Sequence, residues 1–430
     1  MAQSKHFEIK NPLIERAVLV GIDRSDPVWK LEESLAELER LADTAGAVVV
    51  ATTSQRLDAP NPRTFIGAGK AAEVAELCRS LDADVVIFDD ELTPSQQSNL
   101  EKIVPEKVKV IDRTALILDI FALHATSKEG RLQVRLAQNE YLLPRLRGMW
   151  AHLASNQMGG GVGSRFGEGE SQLEIDRRIV RKRITTIKRE LKHVAEVRRV
   201  QRDSRYRNGV FKVALAGYTN AGKSSLLNYL TDADVLSYDK LFATLDSTTR
   251  KYTLPEGREI TLTDTVGFIQ KLPTNLVEAF KSTLDEVVGA DLLLHIVDAS
   301  SKEYEAQVIA VETVLQQIGA EHVSRIEVFN KIDLLGPEEQ EAVRSRHADA
   351  VLVSAKTGAG IDGLVSHIAH IASMRGGFLE VCIPYDRGDL VSLAHERCSI
   401  MQEEHLDEGT RIKMFVAPQY EGLFSCYQAG

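Results

Sequence analysis

Apolar residues in the first quarter of the chain come in short runs separated by amphipathic stretches. AVLVGID (17–23), GAVVVATT (46–53), DVVIFDD (84–90) and VKVIDR (108–113) are apolar at consecutive rather than alternate positions, the pattern of buried strands. Helical patterns lie between and after them. One has a well-marked start: Thr93 as N-cap, Pro94 at the first helical position and Gln96 two residues on predict a helix over 94–104. Strand and helix in alternation imply parallel strands joined by right-handed crossovers, hence an open parallel α/β domain over residues 1–125.

The pattern then changes. Residues 128–153 read as helix, and the segment after them carries Gly159, Gly160, Gly161, Gly163, Gly167 and Gly169, a glycine density that predicts a loop. Beyond it Val180, Ile184, Ile187, Leu191 and Val194 recur at steps of 4, 3, 4 and 3, the stripe of a helix packed as in a coiled coil. Residues 126–207 are therefore expected to form a helical hairpin arm with a Gly-rich tip. From 208 to 374 the α/β alternation returns: KVALAG, a helix, a hairpin whose arms KYTLP and REITLTDT flank Glu256-Gly257, then DLLLHIVDA, RIEVFNKID and AVLVS. Residues 375–430 read as strand, helix, strand, strand, a small α+β domain. The fold class is α/β, with three domains and the arm.

Composition narrows the setting. At 430 residues the chain exceeds the ~250–300 over which one core usually extends. Hydrophobic content of 43% and charged content of 27% are those of an ordinary folded protein. The first residues lack the apolar core of a signal peptide, and no apolar run approaches the roughly 18–20 residues of a membrane span. A cytoplasmic monomer without stable membrane insertion is expected. Cys78, Cys382, Cys398 and Cys426 lie far apart with no metal-ligand spacing, so neither a disulfide framework nor a zinc site is suggested. The net charge is −10, yet Arg177–Arg207 holds 13 Lys/Arg against 3 Asp/Glu, so this strip carries +10 and the rest −20. A basic strip on an acidic chain is either the solvated face of a coiled coil or a contact for a polyanion such as RNA. Arg177, Arg178, Arg181, Lys182 and Arg183 are the candidate RNA-binding residues of the second reading.

The chemistry is concentrated in the third domain. Gly217-Tyr218-Thr219-Asn220-Ala221-Gly222-Lys223-Ser224 fits GxxxxGK[ST], follows a predicted strand and, with Ser225, opens a predicted helix. Its glycines let backbone N–H groups curl around phosphate oxygens. Lys223 brings charge to the β and γ phosphates, and the Ser224 hydroxyl is a ligand for Mg²⁺. Asp264-Thr265-Val266-Gly267 ends a strand: Asp264 can reach the Mg²⁺ shell, and the Gly267 N–H is free to bond the γ phosphate. Asn330-Lys331-Ile332-Asp333 ends another, and a carboxylate at Asp333 accepts from the ring N–H and amine of guanine, which adenine does not present in that arrangement. Ser354-Ala355-Lys356 would support the base. All of these in order predict a GTP/GDP-binding, GTP-hydrolysing domain. A switch threonine must also reach Mg²⁺, from Thr244, Thr248 or Thr249. Phe268 stands after Gly267, where many GTPases place the water-orienting glutamine. Either Gln270 or another residue replaces it, or turnover is slow until a partner accelerates it.

Taken together these residues resemble the HflX family of translational GTPases, within the group that includes Obg. The resemblance extends beyond the nucleotide motifs to HATSKEGRLQVRLAQNEYLLPRLRG (124–148), GGGVGSRFGEGESQLEIDRR (159–178) and FATLDSTTR (242–250), and covers essentially the whole chain. It implies that Phe242-Ala243-Thr244-Leu245-Asp246 lies at the nucleotide, with Thr244 joining Ser224 on Mg²⁺ and acting with Lys223 and Gly267 in catalysis. It also implies a partner, the large ribosomal subunit and its RNA, and a role in splitting stalled or idle ribosomes. The loop's end departs from the family at Phe166–Ile175, where a proline is lost, and Ser247 stands where the switch usually has proline. Some members are said to bind ATP with the N-terminal part; here Gly67-Ala68-Gly69-Lys70 is the only Gly/Lys cluster, and it reads as a helix-start turn. A signalling switch that recruits a protein or membrane partner is the alternative function. A P-loop kinase or ATPase is disfavoured by Asp333.

Overall fold

All four apolar runs of the N-terminal region are strands. They are β1 (Glu15–Asp23), β2 (Ala47–Arg56), β3 (Val85–Phe88) and β4 (Lys109–Asp112), all parallel, in the order β2-β1-β3-β4. Helices α1 (Leu31–Thr44), α2 (Ala68–Ser80), α3 (Pro94–Glu101) and α4 (Arg113–His124) lie between and after them. The computed structural model describes residues 14–24, 29–156, 166–207, 210–231, 241–242, 244–273, 276, 281–374, 377–416 and 418–428. These fall into two compact units, residues up to 123 with 134–187, and 124–133 with 188 onward.

In the first unit Ala17–Val20 of β1 are fully buried, as a central parallel strand requires. Helix α3 starts as its sequence says. The Gln96 N–H donates to the Thr93 hydroxyl (3.2 Å), and the Thr93 N–H donates to Gln96 Oε1 (2.9 Å), a complete capping box. Gly67 is the N-cap of α2, and Lys70 is taken by Thr53 and Glu73, as the helix-start reading of that turn implies. At the C-terminal edge of the sheet the buried Arg113 pairs with Glu37 (2.7 Å) and Asp89 (2.9 Å), tying α1, β3 and α4 together.

The arm consists of α5 (Lys128–Asn156) and α6 (Phe166–Arg207). Arg145 of α5 reaches the same sheet edge, donating to Leu92 O (2.7 Å) and pairing with the buried Asp112 (3.3 Å). Residues 157–165 of the Gly-rich tip lie outside the described residues. Gly167 and Gly169, expected in the loop, instead fall in the opening turns of α6. Glycine keeps its N–H and C=O, so each costs the helix only backbone entropy, about 1 kcal/mol, and α6 continues past both to Arg207.

The second unit is built on a six-stranded sheet. Its elements are β5 (Phe211–Gly217), α7 (Lys223–Thr231), β6 (Thr248–Thr253), β7 (Glu259–Asp264), α8 (Lys281–Val288), β8 (Leu292–Asp298), α9 (Tyr304–Gln317), β9 (Arg325–Asn330), α10 (Pro337–Arg346), β10 (Val351–Leu352) and α11 (Ile361–Met374). The order is β10-β9-β8-β5-β7-β6, and only β6 runs antiparallel, as half of the Glu256-Gly257 hairpin. β5 and β8 lie side by side at the centre, buried along nearly their whole length. Functional loops therefore leave a rigid edge.

Next come β11 (Gly377–Ile383), α12 (Gly388–Arg397), β12 (Ser399–Leu406), β13 (Gly409–Val416) and α13 (Pro418–Phe424), an antiparallel sheet in the order β11-β13-β12. Arg258, at the start of β7, fastens this domain to the larger sheet. Its guanidinium lies over Phe211 (5.5 Å) and Phe415 (5.0 Å) and donates to the carbonyl of Ala372 near the end of α11. Burial lowers its pKa.

Candidate active site

The central strand β5 ends at Gly217, and α7 begins at Lys223, so the turn between them sits at the sheet's C-terminal edge with a helix N-terminus behind it. That N-terminus, including Ser224 and Ser225, presents unpaired amides and the positive end of the helix dipole, an anion site before any side chain is counted. Two positions need unusual backbone. Asn220 has φ 61°, which asparagine tolerates, and Gly222 has φ 91° with the Asn330 amide so near that a Cβ would collide with it. Lys223 is buried and donates to Gly217 O (3.0 Å) and Tyr218 O (2.8 Å). Burial pushes its ammonium down to about 8, against the pull of the Asp264 carboxylate. A phosphate beside it would favour the charged form further.

Three oxygen donors from distant parts of the chain meet at Ser224. Its hydroxyl lies 2.8 Å from the Thr244 hydroxyl and donates to Asp264 Oδ2 (2.5 Å). Asp264 is buried, which raises its pKa, and its Oδ1 has no hydrogen-bond partner among the described residues. A hydroxyl pair beside an under-satisfied carboxylate fits a hard divalent cation. Of the three threonines open in the sequence, Thr244 is the one at Ser224; Thr249 instead lies against Thr263 (3.0 Å), and Thr248 begins β6.

The rest of the segment is divided in purpose. Phe242 and Leu245 are buried anchors, Ala243 lies outside the described residues, and Asp246 bonds to Thr126 and Ser127. On the other side, Thr265 is buried and donates to Leu215 O (2.7 Å), and Val266 is buried. Phe268 is stitched to the phosphate loop: its N–H donates to Gly217 O (3.1 Å), and Thr219 N–H donates to Phe268 O (2.7 Å). Its ring is 1% exposed, and Gln270 is buried too, its N–H donating to the Tyr218 hydroxyl (2.7 Å). A Cβ on Gly267 would stand 3.1 Å from the Lys223 ammonium, so only glycine leaves that approach open.

The base-recognition residues form a second cluster. Asn330 joins three loops, donating to Ala221 O (2.9 Å) and accepting from Ala355 N–H (2.9 Å). Lys331 takes a left-handed backbone, φ 66°, and its ammonium pairs with Asp298 (2.7 Å). Ile332 is buried, and exposed Asp333 accepts from the Ser354 hydroxyl (2.6 Å), which leaves its other oxygen for a ligand. Lys356 is exposed at the rim. Asp298 was not among the residues picked from the motifs; its signal was an acid closing the apolar run HIVD. Thr126 and Ser127 lie inside the 124–148 segment that carries the resemblance, but nothing in that segment marked Asp246 as their partner.

On α6, Arg178, Arg181, Lys182 and Arg183 are exposed and Arg177 is half-buried, while Val180 faces inward. Cys78 and Cys398 are buried and every thiol is free. Among the described residues no helix is long and apolar enough to cross a membrane.

Three family models match the chain: GTP-binding GTPase N-terminal over 32–122, GTP-binding GTPase Middle Region over 124–205, and 50S ribosome-binding GTPase over 212–331. The GTPase HflX of Caldanaerobacter subterraneus subsp. tengcongensis is 47% identical over 399 residues, 93% of this chain and 90% of that one. The GTPase HflX of Flavobacterium psychrophilum is 49% identical over 320 residues, 74% and 76% of the two chains. A crystal structure of a GTP-binding protein from the hyperthermophilic archaeon Sulfolobus solfataricus, in complex with GDP, is similar over 84% of this chain and 99% of that one, at 23% identity and a TM-score of 0.43.

Proposed function

The chain belongs to the HflX family of GTPases and hydrolyses GTP, and from that premise we propose that it binds the large ribosomal subunit through RNA and splits stalled or idle ribosomes. The observation that carries this reading is the basic strip of α6, which presents Arg178, Arg181, Lys182 and Arg183 to solvent on a chain otherwise at −20. Each phosphate neutralised there releases counterions, the chief source of affinity for a polyanion. The match of residues 212–331 to a model described as a 50S ribosome-binding GTPase supports the same partner. The protein acts, on this reading, as a cytoplasmic monomer.

Ser224 and Thr244 would hold Mg²⁺ through their hydroxyls, with the Asp264 carboxylate beside them, and the ion would supply charge neutralisation at the phosphate oxygens. Lys223 and the first amides of α7 cradle the β and γ phosphates, and the Gly267 N–H meets the γ phosphate. Asp333 selects guanine through its free carboxylate oxygen. Nothing at position 268 can orient the attacking water, since the phenyl ring is buried, so the missing element comes from the ribosome and hydrolysis waits for it.

Co-sedimentation of the full chain with purified large subunits, with a non-hydrolysable GTP analogue or GDP, tests the reading. Binding should be stronger with the analogue and fall steeply as salt rises. Replacing Arg177, Arg178, Arg181, Lys182 and Arg183 together with glutamine should flatten the salt dependence, its log–log slope falling by about 3–4, while GTP affinity stays near that of the parent. A variant that binds and splits ribosomes like the parent would show the strip to be a solvated helix face.

A further inference from the structure

Asp246 closes the FATLD segment but spends both carboxylate oxygens elsewhere. Oδ2 accepts from Thr126 N–H (3.0 Å), the Thr126 hydroxyl (2.7 Å) and Ser127 N–H (2.7 Å), and Oδ1 accepts from the Ser127 hydroxyl. Ser127 is the residue before α5 and its N-cap, since its hydroxyl also accepts from Gly130 N–H (2.8 Å). Gly130 comes so close that a Cβ there would collide with Asp246 Oδ1. An anion is thus seated on a helix N-terminus, with every charge-assisted bond directed at one turn.

The segment leading to it has no slack. Thr244 stands 2.8 Å from the Ser224 hydroxyl, Leu245 is 2% exposed in the core, and Asp246 is bonded as described. Two residues span roughly 7 Å at most, so moving Asp246 moves the Thr244 hydroxyl. We propose that Asp246 is a positioning residue that holds Thr244 over the magnesium position from an anchor outside the nucleotide motifs, the Thr126–Ser127–Gly130 turn. The switch threonine engages Mg²⁺ only when the γ phosphate is present. Coupling is reciprocal: GTP tightens the start of α5, and any partner that shifts that turn weakens GTP while leaving GDP alone. This rests on the assignment of Thr244 to Mg²⁺.

Full-length Asp246→Ala, titrated with a fluorescent non-hydrolysable GTP analogue and with GDP in excess Mg²⁺, should lose about tenfold in analogue affinity and little for GDP. Thr126→Val with Ser127→Ala should show part of that loss, because the N–H groups of residues 126 and 127 still bond Asp246 Oδ2, and adding Asp246→Ala to that pair should cost less than Asp246→Ala costs in the parent. Gly130→Ala should reproduce the loss with both partners intact, and Ser127→Thr should restore the parental ratio. In the parent, deuterium exchange of peptide 124–133 should be slower with the analogue than with GDP, and this difference should vanish in Asp246→Ala. Should Asp246→Ala fail to fold, the anchor-side variants decide. An unchanged analogue-to-GDP ratio in those variants, or equal exchange with both nucleotides in the parent, overturns the proposal. An unchanged ratio in Thr244→Ala brings down the magnesium assignment and the latch with it, whereas a loss in Thr244→Ala alone brings down only the latch.

Discussion

His295 gives the domain a calculable sensitivity to acid. It lies on β8 opposite Ala216 of β5, one residue before the phosphate loop, and is 1% exposed. Burial, with the positive charges of Arg325 and Lys223 adding to it, holds its imidazole down to about 4 from an ordinary 6.5. The unfolded chain takes up a proton as pH falls through about 6.5, and the folded one refuses it until about 4, so stability is full above 6.5 and is lost on the way down. At about 1.4 kcal/mol for each pH unit of that gap, the loss approaches roughly 3 kcal/mol by pH 4, and about 2 kcal/mol of it falls between pH 7 and pH 5. His295 Nδ1 has no hydrogen-bond partner among the described residues, so His295→Leu removes the titration without stranding a donor. The measurement is urea unfolding of parent and variant at both pH values, followed through deuterium exchange of the 292–298 peptide so that only the domain containing β8 is read. Carboxylates titrate alike in both proteins and cancel. The parent should lose about 2 kcal/mol more than the variant; equal losses, or a larger loss in the variant, would refute the assignment of a neutral buried imidazole.

Asp333→Asn should move preference from GTP toward xanthosine nucleotides, because an amide donates to the extra oxygen of xanthine, and GTP affinity should drop on the order of a hundredfold in a binding titration; retained GTP preference counts against the guanine assignment. Purified protein without ribosomes should turn over GTP at only ~10⁻⁴ to 10⁻² per second, and many turnovers per second would show that the site supplies its own water-orienting group despite the buried Phe268. Arg258→Gln should loosen the C-terminal domain by about 2–3 kcal/mol, read as faster exchange in β11–β13, and Arg258→Lys should not rescue it, since a point charge cannot stack between two rings and still reach the Ala372 carbonyl.

The nucleotide site was legible because each of its parts is local. A turn that must pass φ 91° at Gly222, a lysine at the head of a helix and an acid at the end of a strand leave their marks in neighbouring residues, and so does the Thr93–Gln96 cap. Runs of consecutive apolar residues likewise marked the parallel strands, but only the inner ones are buried as expected: β2 lies at the sheet edge, where Ala47 alone is buried and Val48 is half-exposed. The glycine tip misled because glycine costs a helix backbone entropy but none of its hydrogen bonds, so Gly167 and Gly169 are tolerated at the start of a helix that runs on to Arg207. What only the tertiary structure decided are pairings between residues far apart: Thr244 rather than Thr248 or Thr249 at Ser224, Lys331 with Asp298, Arg258 between Phe211 and Phe415, and Asp246 with Ser127, 119 positions away. A carboxylate in a sequence shows what it can accept, but the donor it meets is set by which distant segments of the chain pack beside it.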